Sequence, residues 1–563
     1  MSSPTFSIDA GSLAGPLTAA HAQLGRDRFA DALWNSRLDV WPPASREHVA
    51  TRLGWLTVPD VVEPRVAEIE AFAQDVRHDG FTDVVLLGMG GSSLAPEVMR
   101  QVLGASPGFP RFQMLDSVNP EAVRHAFSRA SSTLFILASK SGSTIEPNVM
   151  AAEARRRVEA AGHQPWGSRF VAITDEGTAL HTRAEAGHFR RIFLNPANIG
   201  GRYSALSLFG MVPAALMGIP IARLLAQART MADACRDPDS RVNPGLALGA
   251  FMATAARAGR DKLTLVVPAR LASFGLWVEQ LVAESTGKDG TGVVPIVGEP
   301  PLLHYAEDRV VVAMEIGEDA PDADVIERLR ASGAPVATLR MGNETALGAE
   351  FFRWEVATAT AGRLLGIDPF DQPDVEAAKT ATRKLLSAFT ATGTLTGTPP
   401  PPADASAAGA SFALSAAARA ALHDQTPEHV LRLIGRGDYA AILAYVSPGN
   451  ADVARIVERF RGQVATRTQS ATMCGYGPRY LHSTGQLHKG GPPNGVFVIL
   501  SARPDEDLPI PGEAYSFGVL ERAQALGDFN CLDDKKRRAL LITLASASSA
   551  AVENALARLL AAL

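Results

Sequence analysis

Lysine is scarce in this 563-residue chain, at eight residues against forty-six arginines, and the formal net charge is −5. With no basic block, the sequence lacks the clustered cations on which nucleic-acid binding depends. Cysteine is scarcer still. Cys235, Cys474 and Cys531 stand far apart, without metal-like spacing or disulfide density, which suits a reducing compartment. No stretch reaches the ~18 consecutive apolar residues that cross a bilayer, and Met1–Phe6 shows no basic start leading into an apolar core. These absences predict a cytoplasmic protein without membrane or nucleic-acid partners.

What is present reads as a chain of about two to four domains. Residues 1–80 carry helical periodicity, in Leu13–Leu24, Arg26–Leu38, Glu47–Leu53 and Val62–Val76, and are expected to form a helical wrap. From Asp83 the rhythm changes to short apolar runs, Val84–Leu87, Phe112–Leu115, Leu134–Leu137, Phe170–Ile173 and Phe189–Phe193, separated by amphipathic stretches. Such alternation predicts a doubly wound parallel sheet over 81–200, with sites at the carboxyl ends of its strands. A second α/β domain is expected over 201–392, built on Lys262–Val267, Val310–Ile316 and Val336–Met341. A Pro/Ala/Gly/Ser linker occupies 393–411, including Pro399–Pro402, and a C-terminal α/β unit fills 412–563.

One loop organises the chemistry. Ala138–Pro147 follows an apolar strand and precedes a helix, and it holds Ser139, Lys140, Ser141, Gly142, Ser143 and Thr144. Hydroxyls, a lysine and the free N–H groups of a helix start form a cup for a dianion. The plain alternative is an ordinary Ser/Gly-rich connection. The turn Gly88–Pro96, with Gly91 and Ser92, lies at the neighbouring strand end, and its spacing is not that of a dinucleotide fingerprint. Gly200-Gly201-Arg202 brings a guanidinium to the mouth between two domains, where it is a surface residue or a fixed donor for an oxyanion.

Glu284 falls in the last turn of a predicted helix, with Gln280 at i−4 on the same face. The helix dipole there opposes a carboxylate's charge and suits it to taking up a proton, although a solvated last-turn glutamate has the same sequence appearance. Gly287-Lys288-Asp289 lacks the Ser or Thr that a P-loop needs after its lysine. Gln372 and Lys379 stand seven apart around a helix start and point the same way. His482 and His488 form the pair of histidines in a Gly-rich strand-end context, six apart and without a nearby third ligand, so no metal is expected.

Five of these motifs, in order, resemble the glucose-6-phosphate isomerase family: Gly88–Pro96, Ser139–Glu146, Gly200–Ser204, Glu284–Lys288 and Phe370–Lys379. The family's histidine ordinarily follows the glutamate and precedes the lysine. Here the segment resembling it, Leu481–Gln486, comes after Lys379, whereas His304 holds the usual sequence position without the motif. We favour His482 and keep His304 as the alternative. The arrangement is similar to the isomerase portion of transaldolase–isomerase fusions, although 80 residues are too few for a transaldolase barrel.

The resemblance implies two sugar-isomerase-type α/β domains around a cleft for a hexose phosphate, plus the C-terminal unit, with no metal or organic cofactor and a possible homodimer. It further implies a phosphate held by Gly91, Ser92, Ser139, Lys140, Ser141 and Thr144. His482 and Lys379 would open the ring, Glu284 would shuttle a proton, Arg202 would stabilise a cis-enediolate, and Gln280 and Gln372 would orient hydroxyls. Alternatives are a non-catalytic sugar-phosphate sensor and an isomerase that also accepts mannose 6-phosphate. A sensor needs only the cup, so the presence of Glu284, Arg202 and Lys379 favours the enzyme.

Overall fold

Three five-stranded sheets organise the chain in the computed structural model, whose described residues are 5–395 and 409–563. Strand β1 (Thr5–Asp9) joins a later sheet. Strands β2 (Asp83–Leu87), β3 (Arg111–Leu115), β4 (Thr133–Ala138), β5 (Phe170–Asp175) and β6 (Arg191–Asn195) form the first sheet, all parallel, in the order β3-β2-β4-β5-β6. Strands β7 (Lys262–Val266), β8 (Val294–Val297), β9 (Arg309–Ile316) and β10 (Val336–Met341) form the second, in the order β1-β10-β9-β7-β8, with β1 antiparallel on β10. Strands β11 (Ala410–Leu414), β12 (Tyr439–Tyr445), β13 (Ala471–Tyr476), β14 (Gly495–Ala502) and β15 (Arg538–Leu544) form the third, in the order β11-β15-β14-β12-β13, with β11 antiparallel.

All three sheets share one winding. The second parallel strand lies on one side of the first, and the third and fourth lie on the other. This creates a switch point beside the first strand, where crossover connections part and leave a crevice at the carboxyl ends. In the first sheet that crevice lies between β2 and β4, the strands leading into the Gly88 turn and the Ser139 loop.

Both faces of the first sheet are buried, which explains its unbroken apolar runs. Val84, Leu86, Leu134 and Ile136 join a core with the N-terminal helices and the second sheet. Val85, Leu87, Phe135 and Leu137 join another core with Tyr439, Ala441 and Leu443 of the third. The C-terminal unit therefore shares an apolar core with the first.

The edges depart from expectation. The predicted helical wrap begins with β1, whose short run is extended because it pairs with β10. Strand β8 carries Pro295, and it sits at the edge of its sheet, where a missing N–H is tolerated. Strand β11 starts inside the expected linker, so residues 410 and 411 are sheet. Residues 396–408 of that linker, with Pro399–Pro402, lie outside the described residues.

Candidate active site

A cleft of about 870 Å³ opens where the three units meet. Its wall includes Gly91, Ser92, Lys140, Ser141, Thr144, Arg202, Gln280, Glu284, Gln372, Lys379 and His482. Segments from all three units thus share one surface. Two expected residues do not. His304 is exposed and outside the cleft, on the connection between β8 and β9. Ser139 is buried and turned inward, where its Oγ accepts from the Gly142 N–H at 3.1 Å and donates to Thr144 Oγ1 at 3.4 Å. It holds the loop's shape, while Ser141, Ser143 and Thr144 face the cleft.

Glycines set how closely the walls approach. Gly91 lies so near the Gly201 carbonyl that a Cβ would stand 2.0 Å from its oxygen, and a Cβ on Gly90 (φ +54°) would stand 2.6 Å from the His482 carbonyl oxygen. Only a residue without a side chain permits both contacts. Lys140, expected to help hold the phosphate, is paired with Asp175 and donates to the Ala197 carbonyl at 2.7 Å. Burial pushes the Asp175 carboxyl up even beside that ammonium.

The helix Ala272–Thr286 carries Gln280 and Glu284 into the site and stops at Gly287. Gln280 Nε2 donates to Glu284 Oε2 at 3.2 Å, and Arg202 Nη1 lies 3.5 Å from Glu284 Oε1. Both members of that ion pair are buried. Arg202 is itself fixed: Nε donates to Ser285 Oγ at 2.7 Å, Nη2 to the Pro369 and Asp371 carbonyls at 2.8 and 2.7 Å, and Nη1 to Gln372 Oε1 at 3.3 Å. A guanidinium held by so many acceptors is preorganised for an added negative charge, without reorientation cost. Lys288, behind it, pairs with Asp371, and burial followed by the Arg202 charge brings it down to about 8.

The third unit supplies the opposite wall. Its short helix Gly485–Gly490 packs on the end of the Glu284 helix so tightly that a Cβ on Gly287 would stand 2.4 Å from Leu487 Cα. Gln486 clamps the contact. It donates to the Gly287 carbonyl at 3.0 Å and to Asp374 Oδ2 at 2.7 Å, and accepts from the Asp374 N–H at 2.9 Å. Seated there, His482 has its carbonyl bonded by Gln280 Nε2 at 2.8 Å and its Nε2 at 3.0 Å from Glu146 Oε1. Burial would raise the Glu146 carboxyl. The His482 imidazole, its hydrogen bond and the Lys379 charge outweigh burial and hold the group below the usual glutamate range. His488 takes no part; it is buried among Tyr439, Tyr480 and Phe497, and burial keeps it neutral.

Glu146 was visible in the sequence only as the last residue of the loop motif. The available signal was an acid in the first turn of a helix, where the dipole favours it. Gln524 and Tyr515, also on the wall, had no local pattern to mark them.

A profile of the family described as phosphoglucose isomerase matches residues 58–294. The chain is 30% identical over 464 residues to a glucose-6-phosphate isomerase of Synechococcus sp. (strain CC9902), covering 66% of this chain and 87% of that one. A hypothetical protein from Thermus thermophilus aligns in structure with a TM-score of 0.55 at 25% identity, over 68% of this chain and 99% of that one. A glucose-6-phosphate isomerase from Chlamydia trachomatis shares the fold, with a TM-score of 0.50 at 19% identity over 58% and 74% of the two chains. Given a relative of this identity matched over most of its length, the chain belongs to the glucose-6-phosphate isomerase family.

Proposed function

We propose that this sugar-phosphate isomerase interconverts glucose 6-phosphate and fructose 6-phosphate through a cis-enediolate, with Glu284 as the base that carries a proton between C1 and C2. One observation carries the reading: the Glu284, Arg202 and Gln280 cluster faces the same cleft as the His482–Glu146 pair and the hydroxyl-lined cup. Isomerisation of a cyclic hexose phosphate needs all three.

The phosphate sits in the cup formed by Ser92, Ser141, Thr144 and the glycine turn at Gly91, so binding at a non-reacting group positions the sugar. Ring opening then moves a proton between the ring oxygen and the anomeric hydroxyl. His482 performs that transfer, with Glu146 fixing its imidazole and Lys379 beside the pair. In the open form Glu284 removes the proton from the carbon next to the carbonyl and returns it to the neighbouring carbon, a role worth about 10²–10⁴-fold. The oxyanion that forms is met by Arg202, already oriented by its backbone acceptors. Gln372 and Gln280 hold hydroxyls.

The test is conversion of fructose 6-phosphate to glucose 6-phosphate by the purified chain, read through a dehydrogenase that consumes the product. Wild type and His304→Ala should turn over alike, and His482→Ala should lose most of its rate. Binding without turnover by wild type would refute the reading; loss in His304→Ala with an active His482→Ala would reassign the histidine.

A further inference from the structure

Glu146 is fixed from two sides. His482 Nε2 lies 3.0 Å from its Oε1, and Gln524 Nε2 donates to the same oxygen at 2.7 Å. Gln524 comes from the helix Phe517–Asp534 of the third unit, is buried, and lines the cleft. Its Oε1 is also buried and has no hydrogen-bond partner among the described residues. Exchanging the two amide atoms would turn a carbonyl oxygen onto a carboxylate, so electrostatics fix which atom faces Glu146. A buried acceptor left unpaired at the edge of a site is a functional signal, because interiors otherwise satisfy such groups. Gln280 repeats the pattern at the other carboxylate: Nε2 donates to Glu284, and Oε1 is buried without a partner among the described residues.

We propose that Gln524 is a positioning residue for ring opening, an assignment that rests on the isomerase reading above. Its Nε2 keeps Glu146 ionised and aimed at His482, and its Oε1 accepts a hydroxyl of the bound sugar. One amide thereby ties arrival of the substrate to the geometry of the histidine. A donor to the charged form of a carboxylate favours that form, so losing it lets the carboxyl protonate at higher pH.

The experiment compares wild type with Gln524→Leu and Gln524→Glu on two substrates. Fructose 6-phosphate must open its ring. Its 5-deoxy analogue lacks the hydroxyl that closes the ring and enters open. Expected for Gln524→Leu is a loss of about tenfold or more in kcat on fructose 6-phosphate, a smaller loss on the analogue, and an acid limb of kcat moved to higher pH. Gln524→Glu, which preserves shape, should move that limb the same way, because two adjacent carboxyls resist joint ionisation. Inorganic phosphate, which needs the cup and not the hydroxyl acceptor, should bind each variant at wild-type strength, a check that the cleft is kept, and the variant that passes it carries the comparison. Equal losses on both substrates, or an unmoved acid limb, overturn the proposal. Failure of wild type on both substrates contradicts the isomerase reading instead.

Discussion

Gly91→Ala should nearly silence the enzyme while the reciprocal change, Gly201→Ala, should not. The two glycines touch across the seam between the β2 turn and the turn that carries Arg202. A Cβ on Gly91 would stand 2.0 Å from the Gly201 oxygen, 2.1 Å from its carbon and 2.7 Å from the Arg202 nitrogen, all backbone atoms. A Cβ on Gly201 would meet nothing within 4 Å. Real Cβ contacts essentially never fall below 3.0 Å, so the alanine must separate the turns by about 1 Å. A displacement of that size at a catalytic group costs on the order of 10²-fold, equivalent to about 2.7 kcal/mol in the barrier. Steady-state turnover of fructose 6-phosphate reads kcat, and far-ultraviolet circular dichroism confirms that both variants fold. Wild-type kcat in Gly91→Ala, or equal losses in the two variants, would refute the claim that this contact aims Arg202.

Two further outcomes follow from groups beside the cleft. Burial pushes Glu279 up to about 8 despite the nearby Arg461 and Arg479 charges. A value raised in the folded state gives stability that is full below the ordinary 4.5 and is lost as pH rises to about 8. Glutamine mimics the protonated form, so the melting temperature of Glu279→Gln should gain on wild type between pH 5 and pH 8 and then hold a constant lead; a lead independent of pH would count against it. Ser139→Ala should lower stability by about 1 kcal/mol through its lost loop hydrogen bonds, whereas Thr144→Val should raise KM for fructose 6-phosphate more than Ser139→Ala does; the reverse ranking would return Ser139 to the phosphate wall.

The interior of the fold was readable in the sequence because strands buried on both faces are continuous apolar runs. Val84–Leu87, Leu134–Leu137 and Phe170–Ile173 fall within β2, β4 and β5. Strands β1, β8 and β11 escaped because an edge strand is specified by its neighbour more than by its own residues; β8 even contains a proline. The pairing of Gln280 with Glu284 was legible from helical spacing alone. Contacts that join distant segments were not: Glu146 meets His482 across 336 positions and Gln524 across 378. No periodicity encodes such a meeting. The engagement of Lys140 by Asp175 likewise depends on the β5 segment lying beside the loop.

Proton transfer by Glu284 is the central step, and running the isomerisation of fructose 6-phosphate in deuterium oxide tests it directly. Wild type should exchange part of the carried proton with solvent, so that a fraction of the glucose 6-phosphate formed holds deuterium at C2, and Glu284→Gln should lose both turnover and that exchange by about 10²–10⁴-fold while still binding a phosphorylated five-carbon aldonate. Undiminished turnover or undiminished exchange in Glu284→Gln would contradict it.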